Sequence, residues 1–484
     1  MDENFISNNI IDVAAEEAKK IAYEQRKKEE NEYLEEQDLI LDIDISKKEL
    51  QLARKQAEDI SKYYVYDIWK RLFNKVSFYN EIPCQVLFHV LLGQLLSKKK
   101  IRQVADFQDF RVHFIWIQDP GTGKGTAWNF FSRIARRLKN YDNEEMKLYS
   151  SGVDTTAAII DSFVLDNRGR ATNQIRPGIV SSHDIIMWEE AVSLFRPTNE
   201  FSNGTVRVVL DVVEPYGSPN NIHTKALQHW PRPTQTISSA SLIATSRPIQ
   251  RLRGEVLYSG LFQRFLTYIR KVDHILNNKM IQASSLSSFG DGIEQFQKQE
   301  EELIKELKKL QKFGKENELE PHPKDRVLKL ISEKMEILEE DCWNQIGNDN
   351  NRSIVESFIR RMRNYLVKLA CHSAIMREST KIELKDIEYG FELIQKLYNS
   401  LKIWIELDIA EEEDKGYLIK INTVIRIIKE YNKNNKRLQK PELAKIISKE
   451  CKFSLQSAYA LLSRMSQGSN SYIIFAADKT VRLN

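Results

Sequence analysis

The sequence predicts an α/β core with a mostly parallel β-sheet, followed by a helical region and a small C-terminal domain. Strand-like apolar runs recur between helical stretches, as a parallel sheet with crossover helices requires. The first run ends in a glycine-rich segment with a helical run behind it, whereas residues 354–401 read as helices without strands. The predicted strands of the core are Val112–Ile117, Ile185–Trp188, Ser241–Thr245 and Phe265–Val272.

The length of the chain indicates several folding units, because 484 residues exceed what one hydrophobic core usually supports. Composition and periodicity place their boundaries. We expect a charged helical N-terminal region at 1–78, an α/β core at 79–275, a helical insertion at 276–345, a helical lid at 346–410 and a basic domain at 415–484.

Apolar periodicity and composition predict the helices of these regions. The stretch Ala14–Gln37 is charge-dense with a thin apolar face, which is typical of an exposed helix. Lys47–Phe78 carries an aromatic stripe that favours packing, and Pro83–Leu96 reads as a buried helix. The stretch Asp291–Phe313 predicts an inserted helix or helical hairpin, with one apolar face made of Ile293, Phe296, Leu303, Leu307 and Leu310.

The apolar segments are too short for a membrane protein. The longest, near Cys84–Leu96, is interrupted by polar residues and falls short of the roughly 20 residues that a membrane span needs. The start of the chain lacks a secretory signal, and its four cysteines stand far apart, against a zinc site or a disulfide framework. We expect a cytoplasmic protein without membrane contacts, associated with the nucleoid or, if a virus or plasmid encodes it, in the host cytoplasm.

Charge is distributed unevenly along the chain. Residues 1–45 hold 14 Asp/Glu against 5 Lys/Arg, a net −9, whereas residues 415–484 hold 14 Lys/Arg against 4 Asp/Glu, a net +10. The basic end is therefore expected to meet a polyanion. The acidic end is either solvated or contacts other proteins, such as replication proteins.

The segment after the first strand carries the pattern of a phosphate-binding loop. Strand, glycine-rich turn and helix follow in the order that a P-loop requires. Glycines let backbone N–H groups turn toward phosphate oxygens, the helix N-terminus adds positive potential, and Lys124 reaches the outer phosphates. The candidate nucleotide-binding residues are Asp119, Pro120, Gly121, Thr122, Gly123, Lys124, Gly125 and Thr126.

Two positions depart from the pattern G-x-x-x-x-G-K-[ST]. Gln118 stands where the first glycine is expected, and Gly125 stands where a magnesium-binding hydroxyl is expected. Thr126 supplies that hydroxyl one residue later, unless the metal is held through water alone. The segment P-G-T-G-K-G-T also resembles the loop of adenylate kinases, but those enzymes begin almost at the loop, and their Asp-Gly-(Phe/Tyr)-Pro-Arg segment and arginine-rich lid are not found here.

The remaining parts of a nucleotide hydrolase follow in order. Glu189 and Glu190 end a buried strand, expected beside the loop strand, so that Glu189 with Thr126 binds Mg²⁺ and Glu190 orients the attacking water. The alternative is a pair of acids that merely ends an amphipathic strand. The strand Ser241–Thr245 ends in candidate γ-phosphate sensors, Thr245, Ser246 and Arg247.

An arginine precedes the last predicted strand of the core. Arg264 stands at a loop-to-strand boundary, from which an arginine can reach a neighbouring subunit's nucleotide and stabilise charge during phosphoryl transfer. The alternative is an ordinary salt bridge.

These pieces together resemble minichromosome-maintenance-type helicases of the AAA+ class, and equally the P-loop helicase-like proteins of phages, plasmids and other mobile elements. The resemblance spans residues 80–400 and implies a hexameric ring with ATP and Mg²⁺ held between subunits. It also implies a sensor arginine from the lid, for which Arg361 is preferred over Arg360 and Arg363. Arg247 stands where these helicases usually have asparagine. The matching pieces are Pro120–Lys124, Tyr149–Gly152, Glu189–Glu190, Ala244–Pro248 and Gln263–Phe265.

Two further segments are candidates for DNA contact. Between Glu214 and Arg232 turn residues flank a short run, which predicts either a pore hairpin with His223 and Lys225 on phosphate or an ordinary surface loop. Residues 415–484 predict a winged helix, which binds DNA or, alternatively, protein. Its predicted elements are helices Thr423–Asn432, Pro441–Lys449 and Ser454–Met465 and strands Tyr472–Ala476 and Lys479–Leu483. The DNA-facing candidates are Gln456, Ser457, Arg464, Lys479 and Arg482.

Three functions remain open on the sequence. The first is an ATP-dependent helicase or translocase in DNA replication, acting as a ring on single-stranded or forked DNA. The second is a DNA-bound ATPase switch, such as an initiator, loader or transposition regulator, which does not unwind. The third is a nucleoside monophosphate kinase.

Overall fold

The computed structural model divides the chain into two compact units after Lys402. No helix among its described residues combines the length and apolarity needed to cross a bilayer. The described residues are 45–60, 63–102, 107–151, 159, 162–165, 171–189, 191, 209–218, 222–223, 234–235, 237–244, 262–272, 274–287, 293–346, 349–404, 423–429, 431, 438–450, 455–465, 473–475 and 480–483.

Helices and strands are numbered along the described residues. The helices are α1 (Lys47–Ile60), α2 (Tyr64–Asn74), α3 (Glu81–Leu95), α4 (Lys124–Ala135), α5 (Ile179–Ser182), α6 (His274–Ser287), α7 (Ile293–Glu316), α8 (Lys324–Gln345), α9 (Asp349–Met376), α10 (Leu384–Trp404), α11 (423–429), α12 (Lys440–Glu450) and α13 (Leu455–Met465). The strands are β1 (Lys100–Arg102), β2 (Phe107–Asp109), β3 (Phe114–Gln118), β4 (Leu148–Ser151), β5 (Ser162–Leu165), β6 (Ala171–Arg176), β7 (Ile185–Trp188), β8 (Ile222–His223), β9 (Thr234–Gln235), β10 (Ser239–Ala244), β11 (Leu266–Arg270), β12 (Glu320–Pro321), β13 (Lys381–Ile382), β14 (Ile473–Phe475) and β15 (Val481–Leu483).

A five-stranded parallel sheet forms the centre of the first unit and confirms the α/β prediction. Its strands lie in the order β11-β3-β10-β7-β4, and every neighbouring pair is parallel. All described side chains of β3 and β7 are buried, which explains their uninterrupted apolar sequences. Because the strands are parallel, their carboxyl ends share one edge of the sheet, called here the carboxyl edge, and their amino ends share the other, the amino edge.

Two expectations about strands were wrong. We expected the acid-bearing strand β7 beside the loop strand β3, but β10 lies between them and pairs with both. We also expected the helical region to contain no strand, yet β13 pairs with β12 in a parallel two-stranded sheet between helices. A pair of two-residue strands has no periodicity that a sequence could reveal.

Aromatic packing joins the helices around the glycine-rich loop. Trp69 of α2 lies 5.0 Å from Phe130 of α4 and 5.8 Å from Phe88 of α3, measured between ring centroids. Trp69, Phe73 and Phe88 are fully buried, which confirms that the Pro83–Leu96 helix is buried and that part of the aromatic stripe packs, whereas Tyr64 of the stripe is 52% exposed. Helix α4 is thereby fixed in place behind the loop.

Helix α7 packs against the rest of the first unit with the C-terminal part of its predicted apolar face. Leu303, Leu307 and Leu310 are buried, whereas Ile293 is 70% exposed. The two N–H groups of Gln311 Nε2 are shared among three backbone carbonyls within hydrogen-bond distance, those of Leu95, Lys139 and Asn140. The predicted inserted helix therefore exists and lies against the core.

The described residues of the second unit from 423 onward form three helices and a two-stranded antiparallel sheet. Helices α11, α12 and α13 and strand β15 share one buried apolar core, and β14 pairs with β15 in antiparallel register. Leu461 and Leu462 are buried in this core and Tyr459 packs against it. Ser454, at which the third helix of this domain was predicted to begin, lies outside the described residues. The other buried members are Val424, Ile427, Ile428, Leu438, Leu443, Ala444, Ile447, Ala458 and Val481.

Candidate functional site

The glycine-rich loop lies at the carboxyl edge, between β3 and α4. Gly121 and Gly123 have φ of +74° and +86°, a backbone conformation that L side chains rarely adopt. Gly123 also caps α4 and accepts the amide proton of Ala127 at 3.0 Å. No described atom lies within 4 Å of where a Cβ would stand on Gly121 or Gly125, so the loop leaves room for phosphate oxygens beside its backbone.

Lys124 is the first residue of α4, and its ammonium group is held at the loop. Its Nζ donates to the carbonyl oxygens of Gln118 and Asp119, both at 2.7 Å. Burial lowers the pKa of Lys124 to about 8, and the nearby Asp119 carboxylate partly offsets that effect. An ammonium has three N–H donors, so two loop carbonyls leave one proton for an incoming anion.

A cluster of buried polar side chains lies beneath the loop, and sequence reasoning missed most of it. The Asn80 amide donates to the carbonyl oxygen of Thr122 at 2.9 Å, and the Ser77 hydroxyl donates to that of Gly123 at 3.0 Å. Gln118 donates its amide to Asn80 Oδ1 at 3.0 Å. The residue that departs from the expected first glycine is therefore bound within this cluster.

The other loop side chains make local contacts. The Thr126 hydroxyl donates to the carbonyl of Gly123 at 2.9 Å, one turn back along α4, and its side chain is exposed. The Thr122 hydroxyl donates to the Asp119 carbonyl at 2.6 Å. The Asp119 carboxylate accepts the amide proton of Val272, just beyond β11, at 2.7 Å. That carboxylate therefore ties the loop to the neighbouring strand.

One acid of the predicted pair lies at the carboxyl edge. Glu189 directly follows β7 and is exposed, and the Ser150 hydroxyl of β4 donates to its carboxylate at 2.7 Å. An exposed carboxylate at this edge is a hard oxygen donor of the kind that Mg²⁺ prefers, so its chemistry fits the predicted metal role. Glu190, Thr245, Ser246 and Arg247 lie outside the described residues.

The two predicted arginines lie together at the amino edge. Arg264 precedes β11 and, with Arg361 of α9, lines a cavity of about 180 Å³. Arg264 forms an ion pair with Glu214 at 2.9 Å and donates to the carbonyl of Leu210, so the salt-bridge alternative describes its contacts here. Burial lowers the pKa of Arg264, Glu214 opposes that effect, and the charge of Arg361 adds to it. The Tyr365 hydroxyl donates to the Arg264 carbonyl at 2.6 Å.

A buried ionic group, called here the Asp109 cluster, adjoins this cavity through Lys368. It consists of Asp109, Arg111 and Lys368. The Asp109 carboxylate lies 2.7 Å from Arg111 Nη2 and 3.4 Å from Lys368 Nζ, and all three side chains are buried. Burial raises the pKa of Asp109, but the two cations and its hydrogen bonds outweigh burial and hold it at about 2. Arg111 also donates to backbone carbonyls of Val212 and Ser238, which joins three segments of the chain.

The structure describes only some of the residues predicted to contact DNA. His223 lies on β8, which pairs with β9 in antiparallel register, while Lys225 lies outside the described residues. The partner strand Thr234–Gln235 follows the predicted segment, which ended at Arg232. In the second unit Gln456 is exposed on α13, which also carries Ser457 and Arg464. Arg482 lies on β15, and Lys479 is outside the described residues.

Comparisons with known proteins add no assignment, since no protein-family model and no curated protein matches this chain.

Proposed function

We propose that this chain is an ATP-hydrolysing motor that acts on DNA, a helicase or translocase similar to AAA+ minichromosome-maintenance proteins. The observation that carries the proposal is the loop between β3 and α4. Two glycines with positive φ, a helix N-terminus and the ammonium of Lys124 converge at the carboxyl edge of a parallel sheet. Ligands of open α/β sheets bind at this edge, and phosphates bind at helix N-termini.

The residues at the carboxyl edge divide the chemistry among them. The loop amides and Lys124 hold the phosphates, and Thr126 and Glu189 hold Mg²⁺, which supplies charge neutralisation when bound. Ser150 orients the Glu189 carboxylate through their hydrogen bond. Glu190 is assigned to polarise the attacking water.

The observed strand order is compatible with these roles. Because β10 separates β3 from β7, the acid-bearing strand lies two strand spacings, about 10 Å, from the loop strand. That spacing leaves room beyond the strand ends for a phosphate, a hydrated cation and a water molecule.

The arginines of the amino edge are assigned to a neighbouring subunit. Arg264 precedes β11, whose five residues span roughly 16 Å, so its guanidinium cannot reach the loop of its own chain. Arg361 lines the same cavity and is assigned with it. Shared sites of this kind require a ring or another head-to-tail oligomer, in which Arg264 and Arg361 act in trans on ATP.

The basic second unit supplies the proposed DNA contact. Its three helices and terminal two-stranded sheet have the order of a winged helix, in which the third helix enters the major groove. Here that helix is α13, and its exposed Gln456 is a candidate contact together with Ser457 and Arg464. The surplus of positive charge in residues 415–484 favours binding to phosphate.

The first test is nucleotide binding and hydrolysis by the purified protein with Mg²⁺, with and without single-stranded or forked DNA. Lys124→Ala is expected to abolish hydrolysis, because the outer phosphates lose their cation. The matched control is Arg136→Ala, which removes an exposed cation at the other end of the same helix. Near-normal turnover by Lys124→Ala would refute the assignment.

A second test asks whether the sites are shared. Arg264→Ala is expected to bind ATP but not to hydrolyse it, and mixing with Glu190→Gln is expected to restore part of the activity through hybrid sites. A strand-displacement assay then separates a helicase from a DNA-bound switch, since only the helicase unwinds a fork. Phosphoryl transfer to a nucleoside monophosphate would instead identify a kinase.

A further inference from the structure

A chain of hydrogen bonds runs beneath the loop through four buried or nearly buried side chains, called here the relay: Trp116, Gln118, Asn80 and Ser77. Trp116 Nε1 donates to Gln118 Oε1 at 2.8 Å, and Gln118 Nε2 donates to Asn80 Oδ1 at 3.0 Å. Asn80 Nδ2 then donates to Ser77 Oγ and to the Thr122 carbonyl, both at 2.9 Å. Ser77 Oγ completes the chain by donating to the Gly123 carbonyl at 3.0 Å.

The direction of the relay is fixed by its first member. An indole N–H only donates, so the atom of Gln118 that faces Trp116 must be its oxygen. Its nitrogen then faces Asn80, whose own oxygen must accept, which turns the Asn80 nitrogen toward Ser77 and the loop. Each side chain therefore has one allowed orientation. The two loop atoms that accept hydrogen bonds from the relay are the carbonyl oxygens of Thr122 and Gly123.

Holding these carbonyls determines where the loop amides point. In a planar trans peptide the C=O and N–H bonds point in opposite directions. With the carbonyls of Thr122 and Gly123 turned down onto the relay, the N–H groups of Gly123 and Lys124 face away from it. These are amides that a phosphate-binding loop presents to its ligand.

We infer that the relay is a positioning device that holds the loop in its phosphate-binding conformation before nucleotide arrives. The inference rests on the proposed nucleotide site and explains why Gln118 occupies a position where the P-loop pattern has glycine. At Gly123 an added Cβ would stand 3.0 Å from Ser77 Oγ and 3.4 Å from Asn80 Nδ2, so the relay is packed directly against the loop. Asn80 stands at the N-cap position directly before α3, but its side chain makes no capping hydrogen bond because it binds the loop.

The sharpest test is Gln118→Gly, which restores the first glycine of the sequence pattern and cuts the relay. If the pattern alone governed affinity, this variant would bind nucleotide as well as wild type or better. If the relay positions the loop, the loop-ready fraction falls and the apparent Kd rises by the same factor, about tenfold for one orienting hydrogen-bond network of about 1.4 kcal/mol. Asn80→Asp, which has the same shape without the N–H donors, is expected to act alike, and Ser77→Ala more weakly.

The matched control is Gln94→Ala. It removes another buried side-chain amide, near the C-terminal end of α3, the helix that follows Asn80. Gln94 donates to the Ile237 carbonyl and accepts from Ser239, at the amino edge. Isothermal titration with ADP and with ATP measures Kd and binding stoichiometry separately, and steady-state assays give kcat. Relay variants should raise Kd while stoichiometry and kcat at saturating ATP stay within about twofold, because bound ATP selects the positioned loop. Gln94→Ala should leave Kd unchanged, whatever its melting temperature.

The outcomes separate the inference from the proposal beneath it. Absence of nucleotide binding by the wild-type protein would refute the nucleotide site itself. Binding that Lys124→Ala abolishes but that Gln118→Gly and Asn80→Asp leave unchanged would overturn the relay alone. A drop in stoichiometry at constant Kd would also overturn it, because it would show that these residues only stabilise the fold.

Discussion

The pKa of Lys124 makes nucleotide affinity depend on pH in a definite direction. Burial brings this pKa from 10.5 to about 8 in the nucleotide-free protein. Several negative charges on a bound triphosphate would raise it again, because an opposite charge within about 4–6 Å favours the ammonium form. Binding above pH 8 must therefore take up a proton.

The size of the effect follows from linkage. The pKa of Lys124 is higher in the bound than in the free state. The affinity for ATP is therefore highest below the free-state pKa and falls as pH rises from that value toward the bound-state pKa. With a free-state pKa of about 8, the protonated fraction falls from roughly nine-tenths at pH 7 to roughly one-tenth at pH 9. The Kd for ATP is therefore expected to rise about tenfold between these pH values, equal to about 1.4 kcal/mol.

The assay is titration of Mg–ATP binding from pH 6.5 to 9.5 at constant ionic strength. Lys124→Arg is the control, because an arginine stays protonated throughout this range and should give weaker or equal binding with a flat profile. A wild-type Kd that does not change between pH 7 and 9 would refute the reasoning. So would an equal slope in Lys124→Arg, which would assign the titration to another group.

Three further predictions concern stability and DNA. Burial holds the pKa values of His89 and His372 below their ordinary range, so below about pH 6.5 the unfolded state binds more protons than the folded state. The free energy of unfolding, measured by urea denaturation, should therefore fall toward pH 5 by up to about 1.4 kcal/mol per pH unit for each histidine. A free energy of unfolding that does not change over this range would contradict the prediction. Asp109→Ala leaves the two cations of its cluster buried without a counter-ion and should lower the free energy of unfolding by about 3–5 kcal/mol, whereas a loss below about 1 kcal/mol would contradict the buried arrangement. Replacing Lys479 and Arg482 by alanine should reduce the slope of log Kd for DNA against log salt concentration by about 2 in fluorescence anisotropy, and an unchanged slope would exclude both from phosphate contact.

Four of the five core strands, β3, β7, β10 and β11, could be predicted because each contains a short, largely buried apolar run, whereas β4, with partly exposed side chains, was not predicted. Residues 185–188 match the prediction, and β3 and β11 differ from it by at most two residues at either end. The order of the strands could not be predicted. It depends on crossovers, since the chain leaves β3 through α4 and continues at the far edge of the sheet with β4. Local periodicity carries no information about that choice.

The loop could be predicted because consecutive residues determine its conformation. The side chains that hold the loop from other parts of the chain could not be predicted. Ser77 and Asn80 lie about forty residues before the loop, in a segment whose residue types suggest only the start of a helix. The one available signal was Gln118, a departure from the pattern at a position normally kept small. A polar residue in such a position indicates that the side chain has a partner elsewhere in the fold, although it does not say which.

Strand β11 connects the two places where nucleotide is expected to act. Beyond its carboxyl end, the Val272 amide donates to the Asp119 carboxylate of the loop, and Arg270 donates to the carbonyl of Tyr79, next to Asn80 of the relay. Before its amino end, Arg264 reaches into the cavity proposed to face a neighbouring subunit. Strand β11 pairs with β3 along its whole length, so one continuous element links the two places. Under the ring proposal, a shift of Arg264 toward a neighbour's ATP would therefore act on the loop of its own subunit through hydrogen bonds already in place.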